Sequence, residues 1–345
     1  MITRSVQVLS MNFSAFRAIC ALTFLCGIGV LRAQDSQAHN ALDSSPHTVR
    51  MISVEKDVQL EVLDWGGTGR PLVLLTGLGD KAHVYDKFAP KLTERYHVYG
   101  ITRRGFGASS APQPNATNYS TARLGEDVIA VIDALHLSKP VVAGHSVAGE
   151  ELSYIGVHRP DKVAGLIYFD AGYPYALYDE VHGALLMDAL ALRNQLAQLS
   201  GDFPADPVKY MDDLEVSLER VKKEVAQQRQ DIEAMPSPPP GQKMPPILFA
   251  IRSGQEQFTT FDVPALVIFA DPHDLGSALK DNPKARAAMQ AADARDTERQ
   301  AAAFERQVPS AHVVRIPKAN HYVFRSNEAD VIREVNAFIS TLPDK

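Results

Sequence analysis

Cysteine is scarce in this chain, and what little there is lies at one end: Cys20 and Cys26 are the only two in 345 residues. Beyond residue 33 there is none, so no disulfide, thiol nucleophile or cysteine-bound zinc is available there, and a packed core must supply the stability. Excess positive charge is missing too, the formal net charge being −6. With no stripe rich in Lys and Arg to neutralise phosphates, nucleic acid is a poor partner. Long apolar runs are absent as well. The longest, Ala18 to Leu31, is 14 residues, short of the roughly 20 that a membrane span needs. No internal repeat stands out. With 45% apolar residues, however, the chain can bury a sizeable core, either as one large α/β domain or as a core with an insertion.

Residues 1–33 read as a cleavable export signal. Arg4 and Arg17 precede the apolar run, no acidic residue occurs, and Ala33 marks a plausible cleavage point. Met11 offers an alternative start. Removing this segment takes away three arginines and no acid, moving the charge from −6 to −9. The expected location is therefore periplasmic or extracellular. Residues 34–48 are polar and read as a flexible leader.

From Val49 onward the pattern alternates between strand and helix. "VRMISV" and "VQLEVLDW" read as an antiparallel opening hairpin. "LVLLT", "HVYGIT", "VVA", "VAGLIYF", "PALVIFA" and "HVVRI" are short apolar runs of the kind buried on both faces of a sheet. Leu124 to Leu135 and Ala329 to Leu342 are among the helical stretches between and after them. The expected fold is α/β: a doubly wound, mostly parallel eight-stranded sheet with helices on both faces. About 90 residues separate Phe169 from Pro264, and they contain "MDDLEVSLERVKKEVAQQRQDIEAM", with Met211, Leu214, Leu218, Val221, Val225 and Ile232 at helical steps. These divide the chain into a first core part at 49–172, a helical cap at 173–262 inserted after the sixth strand, and a second core part at 263–345.

Candidate chemistry sits at the strand ends. In "VVAGHSVAGEEL" a strand meets a helix through Gly144-His145-Ser146-Val147-Ala148, a sharp turn that would expose the Ser146 oxygen at a helix N-terminus. A serine hydroxyl needs a base, an acid to orient that base, and donors for the oxyanion. His321, in the short loop after the last strand, is the expected base. The acid is sought in "VIFADPHDLG", where Asp274 is preferred over Asp271 because it lies farther into the loop; Asp170, at the end of "LIYFDAG", is a third candidate. Backbone N–H groups of Val147 and of Leu78, within "TGLGD", are the expected oxyanion donors. Glu150 and Glu151 fit the dipole of a helix's first turn, or a substrate amine if left exposed. Tyr173, Tyr175 and Tyr178 fit either an aromatic acyl pocket or cap packing. Arg103 and Arg104 read as structural.

Four ordered motifs, "LVLLTGLGD", "ITRRGFGASS", "GHSVAG" and "KANHYVF", resemble those of the α/β-hydrolase superfamily from about Val49 to the C-terminus. The resemblance implies Ser146 as nucleophile, His321 as base, an acid after the "PALVIFA" strand, a cap, and no cofactor. Two positions depart from the pattern: Thr76 stands where a histidine is often found, and Ala148 where the turn's last glycine is usual. The expected activity is that of an exported serine hydrolase acting on a small or medium carboxylic ester through an acyl-enzyme, with no metal, a small-molecule substrate and no stable membrane span. Amide, lactone, peroxide or carbon–carbon chemistry, and a non-catalytic ligand-binding role, are the rival readings, since the fold alone does not set the reaction.

Overall fold

The computed structural model describes residues 46–201, 204–233 and 243–343. The expected export signal, most of the leader and part of the proline-rich stretch before Pro246 lie outside these. Eight strands form one sheet: β1 (Thr48–Glu55), β2 (Val58–Gly66), β3 (Arg70–Leu75), β4 (Tyr96–Ile101), β5 (Val141–His145), β6 (Gly165–Phe169), β7 (Ala265–Ala270) and β8 (Ala311–Ile316). Their spatial order is β1-β2-β4-β3-β5-β6-β7-β8. The opening hairpin pairs antiparallel and joins β4 antiparallel, and every later pairing is parallel.

The apolar runs are explained by burial on both faces, because successive side chains of a strand point to opposite sides. Val73 and Leu75 enter one core with Val142, Val267 and Phe269. Leu72 and Leu74 enter the other with Val141, Ile167, Phe169, Leu266 and Ile268. The first core is covered by α1 (Thr121–Ala134) and α2 (Gly149–His158), through residues such as Val131, Ile132, Leu152 and Ile155.

Between β6 and β7 the chain builds α3 (Leu185–Gln198), α4 (Pro207–Glu233) and α5 (Pro246–Ser253). The long α4 is the amphipathic helix expected from the spacing of its apolar residues, and Asp231 ties it to Arg295 on α6 (Pro283–Gln307) at 3.1 Å. The last helix, α7 (Glu328–Thr341), packs Val331, Val335 and Phe338 into the second core. No helix among the described residues is long and apolar enough to cross a membrane.

Candidate active site

The β5–α2 turn forces Ser146 into a left-handed backbone conformation, φ 54°, which non-glycine residues adopt rarely. Space at the turn is scarce: a Cβ on Gly144 would lie 2.8 Å from the Ala148 methyl, and one on Gly149 would lie 2.0 Å from the Ala171 carbonyl oxygen. Ala148 itself is helical at φ −60°, ψ −12°. It needs no glycine, and its methyl fits because residue 144 has no side chain. The N-cap residues of the turn and of α2, His145 and Ala148, make no side-chain cap. Ser146 Oγ lies 2.9 Å from His321 Nε2.

His321 Nδ1 lies 2.6 Å from Asp170 Oδ2. Asp170, and not the expected Asp274, is the carboxylate that reaches His321. The correction has a local cause. Asp170 leaves β6 at φ 46°, which turns its side chain inward, where Oδ1 accepts the Ala270 N–H at 3.0 Å. Asp274 turns outward: it is exposed, its Oδ1 accepts the Gly276 N–H at 2.8 Å, and its own N–H donates to the Ala319 carbonyl. Asp271 lies 3.7 Å from Arg315.

The residue after β7 that does enter the site is His273, which the sequence reading passed over. Its Nε2 lies 2.7 Å from Asp170 Oδ2, and its Nδ1 lies 2.9 Å from Asp293 Oδ1 on α6. Ionised carboxylates only accept, so each ring nitrogen carries a proton and His273 is a buried imidazolium. Burial alone would lower its pKa, but the charges and hydrogen bonds of Asp170 and Asp293 push it up to about 11. Asp170 is affected in return. Burial raises its pKa, and the His273 charge, with hydrogen bonds from His273 and His321, more than reverses this and holds it below the ordinary carboxylate range. A signal was present in "DPHD", a histidine flanked by aspartates at a strand's carboxyl end.

Asp170, His273 and His321 offer possible metal-ligand atoms within 4.8 Å of one another. Both imidazoles and the Tyr173 hydroxyl already converge on Asp170 Oδ2. The set fits a hydrogen-bonded chain, and a cation there would have to displace it.

Neighbouring side chains fix this chain in place. His145 Nε2 donates to the His321 carbonyl oxygen at 3.0 Å, and burial, then the nearby His321, drives its pKa well below the usual value. A neutral His145 therefore holds the loop that carries His321. Tyr175 shares a hydrogen bond with Ser146, and burial, with Asp170 and Glu150 nearby, pushes its phenol well above its usual pKa, so it stays protonated. Arg103 clamps the loop after β3: its Nη2 donates to the Thr76 carbonyl at 2.9 Å, while Nε and Nη2 grip Glu151 at 2.7 and 2.9 Å. Arg104 is bidentate to Asp127, both distances 2.6 Å. Both arginines are structural, as the sequence suggested, and Glu151 is occupied by Arg103. Glu150 is buried as well, and burial followed by Glu151 pushes its carboxyl up to about 8.

Val147 is buried in an apolar cluster with Tyr119 and Ile251, and Leu78, Phe106 and Ile247 pack against it. The two expected oxyanion donors, Leu78 and Val147, thus belong to one apolar cluster, to which α5 contributes Ile247, Ala250 and Ile251.

The model of the alpha/beta hydrolase family matches residues 72–334, well over half of the chain. Among curated proteins, the chain is similar to a fluoroacetate dehalogenase from Burkholderia sp., 30% identical over 118 residues, 34% of this chain and 39% of the relative. It is likewise similar to 3-oxoadipate enol-lactonase 2 of Acinetobacter baylyi, 30% identical over 108 residues, 31% of this chain and 39% of that one. The chain spans about two fifths of the length of these relatives. Among solved structures, bromoperoxidase from Bacillus anthracis superposes with TM-score 0.54 at 19% identity, covering 85% of this chain and 100% of that one. A hydrolase from Pseudomonas aeruginosa gives 0.51 at 22% identity, covering 85% and 98%. The chain belongs to the alpha/beta hydrolase family.

Proposed function

We propose that this hydrolase cleaves a small or medium carboxylic ester through an acyl-enzyme, with Ser146 as nucleophile, His321 as base and Asp170 as the acid that orients it. The observation that carries this reading is the continuous chain Ser146 Oγ, His321 Nε2, His321 Nδ1, Asp170 Oδ2, with links of 2.9 and 2.6 Å. In the first step His321 Nε2 takes the Ser146 proton as Oγ attacks the carbonyl carbon. The resulting imidazolium donates Nδ1–H to Asp170. The N–H groups of Leu78 and Val147 stabilise the oxyanion. His321 then protonates the leaving alkoxide, and a water activated by the same nitrogen releases the acid. The partly buried Leu78 and Phe106, packed against Val147 next to Ser146, suit a hydrocarbon acyl or alcohol group. Similarity to an enol-lactonase favours a lactone, an internal ester, as the second reading.

Export by a cleaved N-terminal segment belongs to the same proposal, supported by the basic, apolar and small-residue order of residues 1–33. Its check is the intact mass of the protein recovered from outside the cytoplasm, expected to begin at Gln34.

Turnover of p-nitrophenyl acetate and butyrate tests the chemistry. Ser146→Ala is expected to lower kcat by at least about 10⁴-fold and to abolish labelling by a fluorophosphonate probe. Undiminished turnover in that variant would refute the assignment. A wild-type protein that the probe leaves unlabelled would point to a binding role instead.

A further inference from the structure

The apolar residues of α4 do not all face the core. Leu214 is buried and Val221 and Ile232 are half-buried, but Met211, Leu218 and Val225 are 49%, 47% and 49% exposed. These three recur every seven residues, so they lie along one side of the helix, drifting only slowly around it. Scattered exposed apolar residues are ordinary on a protein surface, whereas an aligned row is not. Glu215, Lys222 and Arg229 recur with the same period four residues after each of them. The row from Met211 to Val225 is about 21 Å long at 1.5 Å per residue.

The charges beside this row say what fits it. On the side of the row, Glu215 precedes Leu218 and Lys222 and Arg229 follow it, these two lying 3.1 and 2.9 Å from Glu219 and Glu233; elsewhere on the helix both signs occur on each side of Leu218. Glu215 makes no ion pair among the described residues. A parallel copy of α4 would set Glu215 against Glu215 and Lys222 against Lys222. An antiparallel copy centred on Leu218 sets Met211 against Val225, Leu218 against Leu218, and brings Glu215 within one residue's rise of the other copy's Lys222, twice by symmetry. An anionic lipid surface fits less well, since α4 carries seven acidic and five basic side chains.

We infer that α4 is a self-association surface, on which a second copy of this chain docks its own α4 antiparallel about a two-fold axis at Leu218. A two-fold contact is self-complementary by construction, and the order Glu215 then Lys222 beside the row has that property. One helix pair of this length lies at the small end of specific interfaces, which bury about 1,200–2,000 Å². The dimer is therefore reversible and concentration-dependent, and the axis at Leu218 leaves Ser146 and His321 within each copy.

Disulfide mapping tests both the contact and its polarity, using the full chain with Cys20 and Cys26 replaced by Ser. On the axis, Leu218→Cys should cross-link to itself at least about tenfold faster than Val181→Cys, a control outside α4 that is more accessible, 63% exposed against 47%. Met211→Cys and Val225→Cys should cross-link when mixed with each other and not alone. In the native chain, Leu218→Glu should weaken the dimer seen by sedimentation velocity at least about tenfold, with ester turnover retained as evidence of folding. Self-cross-linking of Met211→Cys as fast as that of Leu218→Cys would overturn the antiparallel pairing. The surface assignment itself fails if Leu218→Cys reacts no faster than Val181→Cys, or if the native chain stays monomeric while binding phosphatidylglycerol vesicles in a Leu218-dependent way.

Discussion

At the scale of single residues, Asp170 Oδ2 is the most heavily used atom of the site, accepting from His321, His273 and Tyr173 at 2.6, 2.7 and 3.1 Å. An asparagine there would keep the volume but could present an N–H₂ to His321 Nδ1 and favour the wrong tautomer, which in a Ser-His-Asp triad costs about 10⁴-fold in kcat. Asp170→Asn is thus expected to lower p-nitrophenyl ester turnover by about that factor, and Asp274→Asn to change it by less than about twofold. The pair separates the two carboxylates cleanly, because the Asp274 carboxylate accepts from Gly276 in its own loop. Large loss in Asp274→Asn with little in Asp170→Asn would refute the acid assigned from geometry. His273 belongs to the same unit but serves a different need. Without it Asp170 and Asp293 would share a buried region with no fixed cation, and removing one partner of a buried ion pair costs about 3–5 kcal/mol. His273→Ala should therefore lower the urea midpoint of unfolding strongly, a loss that an assay of activity alone would confuse with a catalytic one.

At the scale of elements, the site depends on loops that meet at the carboxyl edge of the sheet, and Arg103 joins three of them. It sits just after β4, grips Glu151 on α2, and holds the carbonyls of Thr76 and Gly77 after β3. Arg103→Met would leave Glu151 buried beside Glu150 with no cation, so a loss of about 3–5 kcal/mol is expected. Disorder of the loop carrying Leu78 should accompany it, read as faster hydrogen exchange at residues 76–79; exchange unchanged there would show that the arginine does not hold the loop. These joints explain which parts of the site were legible in the sequence. Ser146 and His321 were, because each lies in a short loop next to an apolar run that only a buried strand explains. The carboxylate that meets His321 was not, since three strand-end aspartates compete and the choice depends on which way the chain turns after β6 and β7, a left-handed turn at Asp170 and an outward one at Asp274. The cap was legible as an insertion with an amphipathic helix. Its apolar residues read as one stripe, and only the packing of α4 separates the buried Leu214 from the exposed Leu218.

At the scale of the whole molecule, the buried charges at this sheet edge set how stability varies with pH. His273 has a usual pKa of 6.5 and is raised to about 11 in the fold. Its stabilisation is therefore complete below pH 6.5 and is lost as pH rises toward 11. Glu150, usually 4.5, is raised to about 8 by burial and by Glu151. The folded state then holds a proton that the unfolded chain releases above pH 4.5, so this group too makes stability fall as pH rises, between 4.5 and 8. Asp170 acts in the opposite direction at the acid end: its pKa is depressed from 3.8, so its contribution is present above 3.8 and lost as pH falls below it. His145, held well below 6.5 by burial, makes stability rise as pH climbs to 6.5 and so opposes Glu150 over that interval; together these groups place maximum stability in mildly acidic solution, with the steady decline beginning above about pH 6.5. The melting temperature of the native chain is expected to peak there and to decline steadily to pH 9. Glu150→Gln should flatten the part of that decline below pH 8. Its amide cannot ionise, and it can donate to Gln255 Oε1, a buried oxygen without a hydrogen-bond partner. The gain should therefore appear at pH 8 and be nearly absent at pH 4.5, a difference measurable by calorimetry at the two values. A Glu150→Gln variant stabilised equally at both would show that Glu150 is ionised throughout the range and that burial does not govern its charge.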